Sequence, residues 1–95
     1  MTKIYTAHEL FEQAIQAHTP DKPNNHEFSA LMRKSAIKGH GEAQYTMGII
    51  SYAKLQFTEA AEWFGMVVNN SSCEYAANNK SEAQKFLDVC SKPEV

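Results

Sequence analysis

Ninety-five residues, 43% of them hydrophobic and 21% charged, describe one small globular domain over residues 1–95. A net charge of −2 offers no basic field to nucleic acid or to an acidic membrane surface. No apolar run reaches the roughly 18–20 residues of a membrane span, and the N-terminal MTKIYTAHELFEQ has no apolar signal core, so the expected compartment is the cytoplasm. There Cys73 and Cys90, too few for a disulfide framework and too far apart for a CxxC motif, read as small core or surface residues.

Thr6-Ala7-His8-Glu9 is a capping box, in which the Thr hydroxyl and the Glu carboxylate each satisfy a free amide at a helix start. It predicts a first helix over residues 7–18, with Ala7, Leu10, Phe11, Ala14 and Ile15 on the inner face. Pro20 and Pro23 stop it in a loop over residues 19–25. Asn24 or Asn25 then caps a second helix, with Glu27 facing the positive end of its dipole. Phe28, Leu31, Met32, Ser35 and Ala36 form its inner stripe, and Arg33, Lys34 and Lys38 its solvated face. Gly39 is the left-handed stop and Gly41 a second hinge.

The third helix, from residue 42 to 53 or 54, carries two stripes: Ala43, Met47, Ile50 and Ser51 on one face, Tyr45, Ile49 and Tyr52 on another. Such a helix is either sandwiched between neighbours or shows one face to a ligand. Thr58 is the expected cap of a fourth helix that turns Phe57, Ala60, Ala61, Phe64, Val67 and Val68 inward, with Trp63 beside that face. Asn69-Asn70-Ser71-Ser72 is a weak stop, after which residues 73–78 allow one or two further helical turns. A second capping box, Ser81-Glu82-Ala83-Gln84, opens a fifth helix with Ala83, Phe86, Leu87 and Cys90 inward, and Pro93 closes it. No segment alternates with period 2. The expected fold class is all-α, with five helices.

Gly41-Glu42-Ala43-Gln44 recurs as Ser81-Glu82-Ala83-Gln84, an offset of forty residues that falls among the periods of helical solenoids. Leu31-Met32-Arg33-Lys34-Ser35-Ala36, followed by Gly39-His40-Gly41-Glu42-Ala43-Gln44-Tyr45-Thr46-Met47-Gly48, resembles the Sel-one-like repeat, W-Y-x-K-A-A-x-x-G-x-x-x-A-Q-x-x-L-G. Leu31 replaces the usual aromatic, Ser35 the first Ala, and Met47 the Leu. From Gly48 onward the spacing is similar to a tetratricopeptide repeat, with Ala60, Phe64 and Val67 in the later small and apolar places. The resemblance covers residues 28–68 and, in part, 81–90, where Asp88 replaces the Gly matched by Gly48, as in a terminal capping copy.

This resemblance implies an α-α superhelix of about two and a half stacked hairpins. It implies a bacterial, non-enzymatic module that binds another protein, as an adaptor, chaperone, inhibitor or immunity-type protein does. In the tetratricopeptide relatives the first helix of each hairpin faces the groove. That places Glu42, Tyr45, Ile49 and Tyr52 there, with Glu82, Lys85 and Val89 as the next row. The alternative for Tyr45, Ile49 and Tyr52 is packing against the first or last helix. Gly48 is expected at a close helix–helix contact, where Leu overpacks and Ala is nearly neutral.

No cofactor or metal is expected. His8, His18, His26 and His40 include no pair three or four apart on a helix, and neither cysteine completes a zinc spacing. Gly39-His40-Gly41 lacks the strand before and the Lys-Ser/Thr after that a phosphate loop needs, so it reads as a helix–helix corner. No paired carboxylates suggest acid/base chemistry. Two further classes stay open: a homodimer that buries the Tyr45–Tyr52 or Val89 face, and a metal- or redox-responsive regulator using the histidines with Cys73 or Cys90.

Overall fold

The first capping box forms as its chemistry requires. The Thr6 amide donates to Glu9 Oε1 at 3.0 Å, and the Glu9 amide donates to Thr6 Oγ1 at 3.1 Å. It opens the first of six helices in the computed structural model, which describes residues 5–17, 26–70 and 74–91. The helices are α1 (Ala7–Ala17), α2 (His26–Ile37), α3 (Gly41–Ala53), α4 (Phe57–Asn69), α5 (Glu74–Asn78) and α6 (Lys80–Ser91). The described residues contain no strand, as expected of an all-α chain. The Pro20–Pro23 loop, the Asn24 or Asn25 cap, His18, Cys73 and Pro93 lie outside the described residues.

Two corners share one device. At the end of α2 the Gly39 amide donates to Ala36 O at 3.0 Å and the His40 amide to Ser35 O at 3.2 Å. At the end of α3 the Leu55 amide donates to Tyr52 O at 3.0 Å and the Gln56 amide to Ser51 O at 2.9 Å. Both are Schellman closures, which need a left-handed residue at the turning point. Gly39 supplies it at φ 102; Leu55 supplies it at φ 62, with its side chain 72% exposed. Gly41 is no hinge: it is buried in the first turn of α3.

The core divides into two clusters that meet along α3 and α4. Ala14, Met32, Ala36, Ala43, Met47 and Trp63 form one, joined at its edge by Phe11, Phe28, Leu31 and Ile50. Ala60, Phe64, Val67, Ala76 and Ala83 form the other, with Tyr45, Tyr52, Val68, Phe86, Leu87 and Cys90 partly buried against it. Trp63 and Phe64 are neighbours in sequence that serve opposite clusters. So α4, like α3, is covered on two sides. That arrangement explains the two stripes of α3 and buries Trp63, which the sequence had placed beside the inner face. Arg33 departs from a merely solvated role. Its guanidinium lies 5.8 Å from the Trp63 ring centre and pairs with Glu59 at 3.1 Å. The contact is a cation–π arrangement over a buried indole.

Four expectations need correction. Among the described residues five helices become six, because residues 74–78 form a helix of their own and Asn79 separates it from α6. Asn79 Nδ2 donates to Tyr75 O at 2.9 Å, and the Ala83 amide donates to Asn79 O at 2.9 Å, so α6 begins at Lys80. Ser81 therefore lies inside the helix and does not cap it. Thr58 likewise sits inside α4, whose N-cap position is Gln56. Ile15, assigned to the inner face of α1, is 51% exposed.

The forty-residue recurrence splits when its members are placed. Ala43 and Ala83 are both fully buried, each where a helix backbone presses on its neighbours. Gln44 is buried and donates to Ala36 O at 3.0 Å, whereas Gln84 is exposed and donates to Asp88 on its own helix at 2.9 Å. The alanines do one job twice; the glutamines do not.

Candidate functional site

Residue spacing along α3 puts Tyr45, Ile49 and Tyr52 on one flank, because steps of four and three residues return to one side of a helix. The fold brings α6 against that flank. Phe86 is the hinge of the contact: its ring meets Tyr52 edge-on at 5.4 Å and Tyr45 edge-on at 6.3 Å, and it stacks on Phe64 at 4.8 Å and 10°. Tyr45 also meets Phe64 edge-on at 5.7 Å and Tyr75 of α5 at 6.2 Å, while Tyr52 meets Phe57 at 5.6 Å. Edge-to-face geometry is what the ring quadrupole favours. Both tyrosines are therefore half-buried members of the second cluster, with part of each ring left at the surface.

The exposed members of the predicted face flank this aromatic seam. Ile49 on α3 is 36% exposed and Val89 on α6 is 52% exposed. Glu82 and Lys85 are exposed on α6, on the side of the helix that also carries Val89. Glu42 is half-buried at the start of α3. Burial raises the Tyr45 phenol above its usual value, and the Glu82 charge raises it further. Burial likewise raises Tyr75, with added push from Glu42 and Tyr45. Both phenols keep their protons at neutral pH and remain hydrogen-bond donors. Lys85 also lines a shallow open depression with Ala77, Lys80, Ser81 and Gln84.

The sequence reading missed a buried polar tie at the α2–α3 corner. Ser35 Oγ donates to Ala7 O of α1 at 2.6 Å, and Gln44 Nε2 donates to Ala36 O at 3.0 Å. Asn70, just past α4, donates through Nδ2 to Gly39 O at 2.9 Å and to Gln44 Oε1 at 3.0 Å. A glutamine on an apolar stripe was the available signal; its partners, 8 and 26 residues away, were not visible in a one-dimensional pattern.

The histidines also read differently in three dimensions. His8 and His40, 32 residues apart, approach to 3.3 Å between His8 Nδ1 and His40 Nε2. His40 caps α3, its Nδ1 accepting from the Ala43 amide at 3.2 Å, and its ring stacks on Phe11 at 4.4 Å. Among the described residues no three His, Cys, Asp or Glu side chains come together as a metal-ligand set. The Cys90 thiol is half-buried, and burial pushes its pKa up, away from the reactive thiolate. No helix among the described residues is long and apolar enough to cross a membrane. No protein-family model matches the chain, and comparison with curated proteins and with solved structures likewise finds no match.

Proposed function

We propose that this chain is a non-enzymatic, cytoplasmic protein-interaction module of the helical-repeat kind, its hairpins stacked as a short superhelix. It binds a partner protein along the α3–α6 strip. The observation that carries the reading is that Ile49 and Val89 stay exposed on α3 and α6, the two helices joined by the Tyr45, Tyr52 and Phe86 rings. Interface energy concentrates in a few apolar and aromatic anchors ringed by polar groups, and Glu42, Glu82 and Lys85 supply that rim. Rings already held by edge contacts lose little freedom when a partner lands on them.

The tyrosines are poor probes of this proposal, because truncating either one disturbs the second core cluster. Ile49→Glu with Val89→Glu charges the strip while leaving the aromatic contacts in place. The double variant is expected to melt with the parent and to lose the partner that the parent captures from its native host. Ile15→Glu, on an exposed position of α1, serves as the matched control. Equal capture by parent and double variant refutes the assignment. Light scattering across a concentration series tests the alternative occupant: a dimer mass that the double variant abolishes makes the strip a self-association face.

A further inference from the structure

We infer that the His8–His40 pair is a proton-sensitive latch that holds α1 against the start of α3 and releases it on acidification. The hydrogen bonds around the two rings can be assigned in only one direction. The Ala43 amide donates to His40 Nδ1, so that nitrogen carries a lone pair and the neutral ring has its proton on Nε2. His40 Nε2–H then donates to His8 Nδ1 at 3.3 Å. That leaves the His8 proton on Nε2, the nitrogen that lies 2.8 Å from Glu12 Oε1. The chain runs from a backbone amide of α3 through two imidazoles to a carboxylate of α1, and every position is filled once.

Such a chain has no place for another proton. Added to His40 at Nδ1, it faces the Ala43 N–H, donor against donor, and the α3 cap is lost. Added to His8 at Nδ1, it faces the His40 Nε2–H, and the link between the helices is lost. The same assignment disfavours a metal ion shared by the two rings, since the cap turns the His40 Nε2 lone pair into an N–H. Phe11 of α1 stacks on His40 with 17° between the planes, so disturbing that ring disturbs the apolar contact as well.

The surrounding charges oppose one another. From α1, His8 faces His40 directly, Glu12 lies 2.8 Å from the far side of His8, and Glu9 is engaged by the Thr6 amide. From α3, Glu42 favours protonation of His40; Lys38, two residues back in the chain, is exposed to solvent. Desolvation is the largest influence and His8 the next, and together they hold His40 below the ordinary histidine range despite Glu42. In the unfolded chain His40 takes its proton near the ordinary value of about 6.5. Below that pH the unfolded state binds more protons, so stability falls as the pH drops through that value, and the loss is complete below the folded pKa.

The test is an NMR pH titration of the parent, with hydrogen exchange and urea unfolding at pH 8 and pH 5 on parent and His40→Asn. Asn retains the capping function and cannot titrate. The expected result has three parts. The His40 ring titrates below the ordinary value, with the Ala43 amide shifting at the same midpoint. After correction for intrinsic exchange rates, the α1 amides lose more protection at pH 5 than those of α4. The urea midpoint of the parent falls further between pH 8 and pH 5 than that of His40→Asn, the other histidines being common to both. The proposal is overturned if the Ala43 amide ignores the His40 titration, if α1 and α4 lose protection equally, or if the two proteins lose the same midpoint. The titration and exchange arms need only the parent, so they decide the matter even if the variant folds poorly.

Discussion

Replacing Gly48 by Ala tests the junction of the two core clusters with a single methyl group. A Cβ built at Gly48 falls 2.7, 2.8 and 2.9 Å from three carbons of the Phe64 ring. Such a contact is far inside van der Waals range, so the ring must move. Phe64 has little room to do so: it is fully buried, stacked on Phe86 and braced by the edge of Tyr45. Overpacking a core costs about 1–3 kcal/mol, from which relief of glycine's helix penalty returns about 1 kcal/mol. The net expectation is a loss of roughly 1 kcal/mol, or about 4–8 °C in melting temperature for a domain this small. The near-neutral outcome expected from sequence set the helix gain against mild crowding, and a ring this close makes the crowding larger. Gly65→Ala is the internal control, because nothing lies within 4 Å of its Cβ. That change should stabilise by about 0.5–1 kcal/mol. Urea unfolding of both variants, each also made with Phe64→Leu, separates the effects. The penalty at Gly48 should shrink when the ring is gone, and the gain at Gly65 should not. If Gly48→Ala is stabilised as much as Gly65→Ala, the close approach of α3 and α4 is wrong.

Two other substitutions probe the corners. Leu55→Gly should raise stability by about 0.5–1 kcal/mol, since the left-handed strain of an exposed leucine outweighs glycine's entropy cost; a lower urea midpoint would show that Leu55 has a structural partner. Gln44→Leu should cost about 1–3 kcal/mol by removing the side-chain amide from the Ala36 carbonyl and one of the two acceptors, Gln44 Oε1, from Asn70. Adding Asn70→Ala should then cost less than Asn70→Ala does in the parent, and full additivity in urea unfolding would show that the two side chains act independently.

Much of this molecule follows from local chemistry. The Thr6–Glu9 box, the left-handed Gly39 and the 3-and-4 spacing of apolar residues act within a turn or two of chain, where sequence neighbours are also neighbours in space. They therefore identify the helices and most of the inward faces before any packing is known. Where two signals competed locally, the stronger tertiary contact prevailed. Ala76, fully buried in the second cluster, anchors α5 as a separate helix, and burial of Ala83 proceeds without Ser81 acting as a cap. Gln84, the repeat counterpart of Gln44, meets Asp88 on the surface of α6, whereas Gln44 is buried against the end of α2.

The candidate sites belong to the tertiary level. The periodicity of α3 marked Tyr45, Ile49 and Tyr52 as a second face, but a face has the same period whether another helix or a partner covers it. Only the placement of Phe86 decided that the tyrosines are half-covered while Ile49 and Val89 stay open. The histidine latch was further out of reach, since its two rings are 32 residues apart and a helical spacing rule sees no more than about two turns. Side-chain hydrogen bonds of such long range are set by how whole helices dock, and docking is decided by the summed burial of both clusters rather than by any short motif.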